Sequence, residues 1–250
     1  MMNITPVVKQ LLIINIIFFI GSMIVGDSAN ELLALFFFKN PAFQFWQPIT
    51  SMFMHGGVMH IAFNMFALYS FGSALEHFWG GRKFLFFYIS CGLGSALLHT
   101  LVNYIYYTNG VEHLTALGLG DQLNTFLQTG SLSFAGPEPA IDKQIVQHLF
   151  GAYNNPALGA SGAIYGLLVA FAFMFPNAEL AMLFIPILVK AKYFVPGLIA
   201  IDVFLGLQGS SLFGGTGTGI AHFAHIGGAL VGLIMMWYWK KNQFNRNRWD

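Results

Sequence analysis

Long apolar runs alternate with short polar connections along this chain. Six runs are long enough to predict membrane helices, since a bilayer core needs about 20 apolar residues per helix. The fourth and fifth runs are short, which is typical of helices that are buried among others. The pattern predicts spans over residues 7–25, 57–78, 83–105, 161–176, 193–208 and 222–239.

The composition agrees with a membrane protein. Of 250 residues, 56% are hydrophobic and 8% are charged. Soluble domains carry about a quarter charged residues, so this chain does not have the polar surface of one. We interpret residues 1–250 as a single transmembrane domain. The net charge of +1 gives no indication of a nucleic-acid partner.

Basic residues are distributed unevenly between the two sides. Six spans place both termini on one side, and a cytoplasmic N-terminus leaves only Lys39 and Lys143 outside. This bias predicts a multi-pass protein of the bacterial inner (plasma) membrane with both termini cytoplasmic and a basic tail over residues 240–250. The predicted inner set is Lys9, Arg82, Lys83, Lys190, Lys192, Lys240, Lys241, Arg246 and Arg248.

Two predicted outer segments are long. Residues 26–54 are too apolar for a water-exposed loop, so we expect them to lie in the interface with Trp46 near the headgroups. Residues 106–158 form an outer insert that contains one amphipathic helix. Its predicted apolar face consists of Ile141, Ile145, Val146, Leu149 and Phe150.

A serine stands at the start of the fourth span, in "LGASG" (158–162). Gly159 permits an unusual backbone conformation, and Ser161 then lies at a helix N-terminus. Free backbone N–H groups and the positive end of the helix dipole suit a developing oxyanion there. The alternative is that Ser161 is an N-cap and nothing more.

Two histidines, His222 and His225, lie three residues apart in the sixth span and share a helix face. A buried neutral histidine usually makes one hydrogen bond and does nothing more. Together with His55 and His60, the pair is also compatible with a metal or haem site.

Glycine pairs accompany both the serine and the histidines. Glycines four residues apart let two helices approach closely, which would bring Ser161 and His225 within hydrogen-bonding distance. A serine hydroxyl becomes a useful nucleophile beside such a base. The pairs are Gly162 with Gly166 and Gly228 with Gly232.

The second span carries a further polar group. His60 and Asn64 are four residues apart on one helix face, and His55 lies near the outer end. Asn64 is costly in lipid without partners, so it either joins helices by hydrogen bonds or serves chemistry. In the second case His60, Asn64 and the Ser161 amide would donate to an oxyanion.

No acid is an obvious partner for these histidines. We interpret Asp202, within the fifth span, as a buried structural acid. Glu76, at the inner end of the second span, is expected to pair with a nearby Arg or Lys. A serine and a histidine without a carboxylate are chemically adequate for slow acyl transfer.

Together these residues resemble the rhomboid family of intramembrane serine proteases. The resemblance rests on an ordered set of motifs from about residue 46 to 237. It implies an all-α, six-transmembrane-helix bundle with a water-filled cavity that opens outward. The motifs are "WQPITSMFMH" (46–55), "HIAFNM" (60–65), "GSALE" (72–76), "GASGAIYG" (159–166) and "AHIGGALVG" (224–232).

The resemblance implies a serine endopeptidase of the lipid bilayer that uses a Ser-His dyad to cut membrane proteins in or near their transmembrane segments, with neither cofactor nor metal. Ser161 matches the family's nucleophile and His225 its base. His60 and Asn64 match the oxyanion pair. Tyr165 matches an aromatic residue that packs on the base, and His55 matches a histidine that supports the outer loop or retains water.

Two features depart from the family pattern. Gln47 follows the tryptophan where relatives often have arginine, so the anchoring of that loop is expected to differ. The insert at 106–158 is longer than in compact bacterial members.

Two other functions are compatible with parts of the pattern. An inactive relative that escorts membrane clients would normally have lost Ser161 or His225, and both are present. A transporter would more often show paired halves or broken helices at mid-membrane, and the sequence has no such internal symmetry.

Overall fold

The computed structural model describes residues 4–133, 140–182, 185–209 and 220–242. The described part contains eleven α-helices and one pair of short antiparallel strands, β1 (Glu179–Met182) and β2 (Ile185–Lys190). The helices are α1 (Pro6–Val25), α2 (Asp27–Leu33), α3 (Gln47–Thr50), α4 (Val58–Ala67), α5 (Ser73–Trp79), α6 (Gly81–Ala116), α7 (Gly120–Thr129), α8 (Lys143–Asn154), α9 (Ser161–Met174), α10 (Ala191–Gln208) and α11 (Ile220–Asn242).

Helices coincide with all six predicted spans. Five are long and apolar enough to cross a membrane, and α4 and α5 count as one of them because a single π-helical turn joins them. The sixth, α9, has 14 residues, which gives about 21 Å against a hydrocarbon core of about 30 Å. The prediction of an all-α, multi-pass membrane bundle is confirmed.

The third span is longer than predicted. Helix α6 continues to Ala116, past the predicted end at residue 105, so the first part of the outer insert is helix and not loop. Polar residues there do not end the helix. The Thr108 hydroxyl donates to the carbonyl oxygen of Tyr104, one turn earlier, at 2.9 Å, and Asn103 is fully buried beside His99.

Helix α9 lies at the centre of the bundle, packed against α6 and α11. It is apolar on all sides, which is typical of a helix surrounded by protein. Ala163, Leu167 and Ala170 are almost completely buried. Burial by neighbouring helices explains how so short an apolar helix is held in the bundle.

Four glycines bring α9 and α11 into backbone contact. A Cβ added at Gly228 would overlap the carbonyl oxygen of Gly162, and a Cβ at Gly232 would lie 2.8 Å from the Cα of Gly166. We call these four residues the glycine seam. The predicted close approach of the two glycine-bearing helices is confirmed.

A second core lies beside the bundle. The end of α6 packs with α7 and α8 around Leu114, Phe126 and Leu149, which are all fully buried. We call α7, α8 and the end of α6 the α7–α8 lobe. Helix α8 begins where Asp142 caps it, accepting bonds from two backbone N–H groups. The predicted amphipathic helix is confirmed, and Val146 and Leu149 of its predicted apolar face are buried.

The segment between α1 and α4 is folded around one buried side chain. Gln47 is fully buried. Its Oε1 accepts from the Phe36 amide at 3.2 Å, and its Nε2 donates to the carbonyls of Glu31 and Ala42. The amide of Gln47 therefore anchors this loop.

Glu76 has a different role from the predicted one. Its carboxylate accepts bonds from the Val7 and Val8 amides at 2.9 and 2.8 Å and from the Thr5 hydroxyl. It thus serves as a cap for the start of α1, where free N–H groups favour a negative charge. These bonds come from the start of α1 and not from the Arg or Lys partner that was predicted.

Two predicted features extend beyond the described residues. Arg246, Arg248 and most of the tail at 240–250 lie outside them, as do residues 134–139 of the outer insert. The two strands between α9 and α10 were not predicted. Their pairing sets Glu179 opposite Lys190.

Candidate active site

Ser161 is the first residue of α9 and not its cap. The cap position falls on Ala160, so the interpretation of Ser161 as an N-cap is wrong. The turn before it depends on Gly159, which has a φ of +123° that L side chains rarely adopt. The Gly159 amide donates to the Ser51 carbonyl at 2.9 Å. These contacts fix the backbone immediately before the serine.

His225 reaches the serine from α11. Its Nε2 lies 3.0 Å from Ser161 Oγ, within hydrogen-bonding distance. The ring of Tyr165 stacks on its imidazole, with 4.3 Å between ring centroids and 10° between planes. Gly228 follows His225 by three residues and contacts Gly162, the neighbour of Ser161. The glycine seam therefore holds the two side chains in register.

An acid lies behind the imidazole. Asp202 of α10 is 2% exposed. Its Oδ1 lies 3.4 Å from His225 Nδ1 and forms a close hydrogen bond with His222 Nδ1. The sequence predicted a structural role for Asp202, and no acid was an obvious partner for the base. A carboxyl group inside an apolar span was the available signal, because such a group needs polar partners.

His60 lies on the other side of Ser161. A Cβ added to Gly159 would be 2.9 Å from His60 Nε2 and 3.5 Å from Ser161 Oγ, so both atoms border the same space. His60 Nδ1 accepts from the Gly56 amide at 3.3 Å. A neutral His60 then carries its proton on Nε2, which faces the serine.

Asn64 and His55 flank His60. Asn64 is buried, and its Nδ2 donates to the carbonyl oxygen of His60 at 2.9 Å, within its own helix. The ring of His55 meets that of His60 edge-on at 5.1 Å, and its Nδ1 is 3.3 Å from the Phe53 carbonyl. Burial, reinforced by neighbouring His60, lowers the pKa of His55 to about 4.

A cavity of about 290 Å³ opens beside the serine. Its lining comes mainly from α6, from residues 155–159 before α9, and from α9 and α11. Among the described residues, His60 and Asn64 of α4 do not border it. The cavity is large enough for several water molecules, which occupy about 30 Å³ each in the liquid. Its polar lining consists of Ser51, Ser95, His99, Asn155, Ser161, His222 and His225.

One group of side chains has the composition of a metal site. In the described part of the chain, Asp202, His222 and His225 offer ligand atoms within 4.8 Å of one another. The predicted metal alternative also used His55 and His60, and these two are not members of this group. The His222 and Asp202 atoms are at hydrogen-bonding distance, whereas two ligands of one zinc ion lie about 3.3 Å apart, given bonds of about 2.0 Å.

The comparison with known families agrees with this geometry. The sequence model described as the Rhomboid domain matches residues 42–242, which is most of the chain. The chain belongs to the rhomboid family. It is a multi-pass integral membrane protein, and its five long apolar helices and short α9 form the rhomboid bundle.

Curated relatives carry rhomboid names. Presenilin-associated rhomboid-like protein A, mitochondrial, of Danio rerio is 26% identical over 86% of this chain and 44% of its own length. The Homo sapiens presenilin-associated rhomboid-like protein, mitochondrial, is 28% identical over 84% and 42%. Rhomboid protease GluP of Bacillus subtilis is 30% identical over 33% and 17%. The rhomboid chain described here spans less than half the length of these relatives.

Proposed function

We propose that this rhomboid protein is a serine endopeptidase that cuts other membrane proteins in or near their transmembrane segments. The observation that carries the proposal is the 3.0 Å between Ser161 Oγ and His225 Nε2, beside a polar cavity within the bundle. A relative named as a rhomboid protease supports the reaction class.

In the proposed reaction, His225 Nε2 takes the proton of Ser161 as the oxygen attacks a substrate carbonyl carbon. The tetrahedral intermediate collapses to an acyl-enzyme, and His225 gives the proton to the leaving amine. A water molecule from the cavity then repeats the sequence and releases the new carboxylate. The scheme uses neither metal nor cofactor.

Three groups are proposed to donate to the oxyanion. The Ser161 amide belongs to the first turn of α9, where backbone N–H groups have no helical partner. His60 offers Nε2–H across Gly159, because its Nδ1 accepts from the Gly56 amide. Asn64 uses one amide hydrogen in its bond to the His60 carbonyl, which leaves the second for a substrate oxygen.

Two neighbours are proposed to support the base and the loop. Tyr165 restrains the plane of the His225 ring by stacking. His55 supports His60 through the ring contact and closes the loop that precedes α4.

The proposed location is the bacterial inner membrane, with both termini cytoplasmic and the site towards the outer face. The uneven distribution of Lys and Arg supports this orientation. The names of two relatives assign those relatives to mitochondria, and another relative is bacterial. A topology reporter fused to each end of this chain, read out in bacteria, tests the assignment.

The proposal is tested by reconstituting the purified chain in lipid with a fluorescent transmembrane reporter. Ser161→Ala and His225→Ala should each reduce cleavage by at least about 1,000-fold without lowering the unfolding temperature. Ser73→Ala is the control, because Ser73 lies on α5 and is more deeply buried than the half-buried Ser161. Cleavage that survives in Ser161→Ala would contradict the proposal. A folded wild-type protein that cuts no reporter would favour the client-binding alternative.

A further inference from the structure

A carboxylate buried among membrane helices requires explanation. Asp202 is 2% exposed within α10, and removing a charge from water costs several kcal/mol unless hydrogen bonds compensate for it. The groups that face the carboxylate are two imidazoles of α11, His222 and His225, and the side chain of Tyr165 in α9, which also hydrogen-bonds to it. Asp202 therefore contacts His225, the histidine that lies within hydrogen-bonding distance of Ser161.

The two imidazoles use the same ring position. His222 and His225 both present Nδ1 to Asp202 Oδ1. A carboxylate accepts and does not donate, so both rings carry their proton on Nδ1. For His225 this leaves a lone pair on Nε2, aimed at Ser161 Oγ. That is the tautomer a general base needs.

Stacking alone does not select this arrangement. Tyr165 lies parallel to the His225 ring, and a ring turned by 180° about its Cβ–Cγ bond would keep the same plane. The flipped ring would instead direct a carbon atom towards the acid and turn Nε2 away from the serine. A hydrogen bond to one defined oxygen distinguishes the two orientations, and Asp202 supplies that oxygen.

His222 holds the acid itself. Its bond to Asp202 Oδ1 is shorter than the contact of His225 with the same atom. The carboxylate is therefore fixed from a neighbouring turn of α11, one that also borders the cavity. The shorter contact anchors Asp202, and the longer one reaches Nδ1 of His225, the ring nitrogen opposite the Nε2 that faces the serine.

We propose that Asp202 is a positioning residue that fixes the tautomer and orientation of His225, and that His222 anchors the Asp202 carboxylate. This inference rests on the proposed protease function. It adds a carboxylate behind the base, on a different helix from the base and from the nucleophile, and it gives His222 a role in the same unit.

The test compares reconstituted Asp202→Asn with wild type in the reporter assay. The amide keeps the size of the side chain but offers an N–H towards His225, which favours the wrong tautomer. We expect kcat to fall at least about 100-fold with KM changed less than about twofold. Asp202→Glu should recover part of the lost kcat, because it restores the carboxylate.

A spectroscopic measurement separates positioning from a purely structural role. In protein with ¹⁵N-labelled histidine, the His225 ring should be protonated on Nδ1 in wild type and on Nε2 in Asp202→Asn. If the variant retains the Nδ1 proton and wild-type kcat, the inference is overturned. Bound zinc in stoichiometric amounts in the active purified protein, lost together with activity in Asp202→Asn, would also overturn it.

His222 provides a second route if Asp202→Asn does not fold. His222→Phe removes the donor and should reduce kcat about tenfold, whereas His222→Gln keeps an N–H donor and should lose less. Equal, wild-type kcat in both variants would refute the anchoring role. Cleavage by Ser161→Ala would contradict the proposed function itself. Cleavage that requires Ser161 but not Asp202 would contradict only the positioning role of Asp202.

Discussion

The glycine seam and the α7–α8 lobe are packed in opposite ways. At the seam, Gly162 and Gly228 bring the backbones of α9 and α11 into contact, with no side chain between them. In the lobe, large side chains such as Phe126 and Leu149 fill the space between α6, α7 and α8. The seam thus determines distances between main chains, whereas the lobe depends on side-chain fit.

The proposed catalytic pair lies at the seam and not in the lobe. Ser161 adjoins Gly162, and His225 lies one turn from Gly228, so any widening of the seam separates Ser161 Oγ from His225 Nε2. The lobe leads into α9, but the intervening chain is fixed independently: Leu35 and Ala157 exchange backbone bonds of 2.8 Å. A substitution that destabilises the lobe should therefore change the position of Ser161 only slightly.

Gly228→Ala tests the seam and should have the largest effect. The new methyl group would overlap the carbonyl oxygen of Gly162, and the helices must move apart. Overpacking costs about 1–3 kcal/mol, and a displacement of about 1 Å can reduce the rate about 100-fold. Reporter cleavage and unfolding temperature in lipid provide the two readouts.

Gly197→Ala is the matched control. Gly197 lies within α10, and no described heavy atom would come within 4 Å of its added Cβ. Alanine there should keep full activity and gain about 0.5–1 kcal/mol of stability. Wild-type activity in Gly228→Ala would show that the seam does not hold Ser161 and His225 in register.

Leu149→Ala tests the lobe and should affect stability more than activity. Leu149 is fully buried, so the cavity left behind should cost about 2–5 kcal/mol, confined to the lobe. Amide exchange should accelerate in α7 and α8, with cleavage within about threefold of wild type. Leu117→Ala, at a position that is 42% exposed, is the control. If Leu149→Ala lost as much cleavage activity as Gly228→Ala, the seam and the lobe would not be independent of each other.

The smallest effect concerns the dependence of stability on pH. The pKa of His55 is about 4 in the folded protein, because burial and His60 disfavour its charged form, and about 6.5 in an unfolded chain. As pH falls from about 6.5 to 4, the unfolded chain binds a proton that the folded protein does not, so stability declines. Above about pH 6.5 this contribution no longer changes.

His55→Gln should therefore flatten the loss of unfolding temperature between pH 6.5 and 4. Burial also lowers the pKa of His148 in the lobe, with Asp142 opposing the shift. His148→Gln should likewise reduce the pH dependence of the unfolding temperature, because His148 lies in the lobe and is neutral there. It should not change cleavage near neutral pH. An unchanged pH profile in His55→Gln would contradict the burial of that imidazole in its neutral form.

The sequence was sufficient for features that depend on local pattern. Apolar runs predicted the six spans, and glycine spacing predicted the contact of α9 with α11. These signals are local because a bilayer requires long apolar helices and close packing requires small residues at a fixed spacing. The continuation of α6 to Ala116 was missed because polarity marks where a chain leaves lipid and not where its helix ends.

Features that depend on the rotation of one helix against another were missed. The contact of Asp202 with His222 and His225 depends on which face α10 turns towards α11, and no spacing within either helix reveals it. The three bonds of Gln47 to Glu31, Phe36 and Ala42 likewise require the folded loop. In both cases a buried polar residue was visible in the sequence, but its partners were not.

The most direct measurement is covalent labelling of the reconstituted protein with a serine-directed phosphonate, followed by peptide mapping. It requires an activated hydroxyl and no knowledge of the substrate. We expect modification at Ser161, lost in His225→Ala and retained in Ser73→Ala. Modification of another serine, or equal labelling without His225, would contradict the claim that Ser161 and His225 act together.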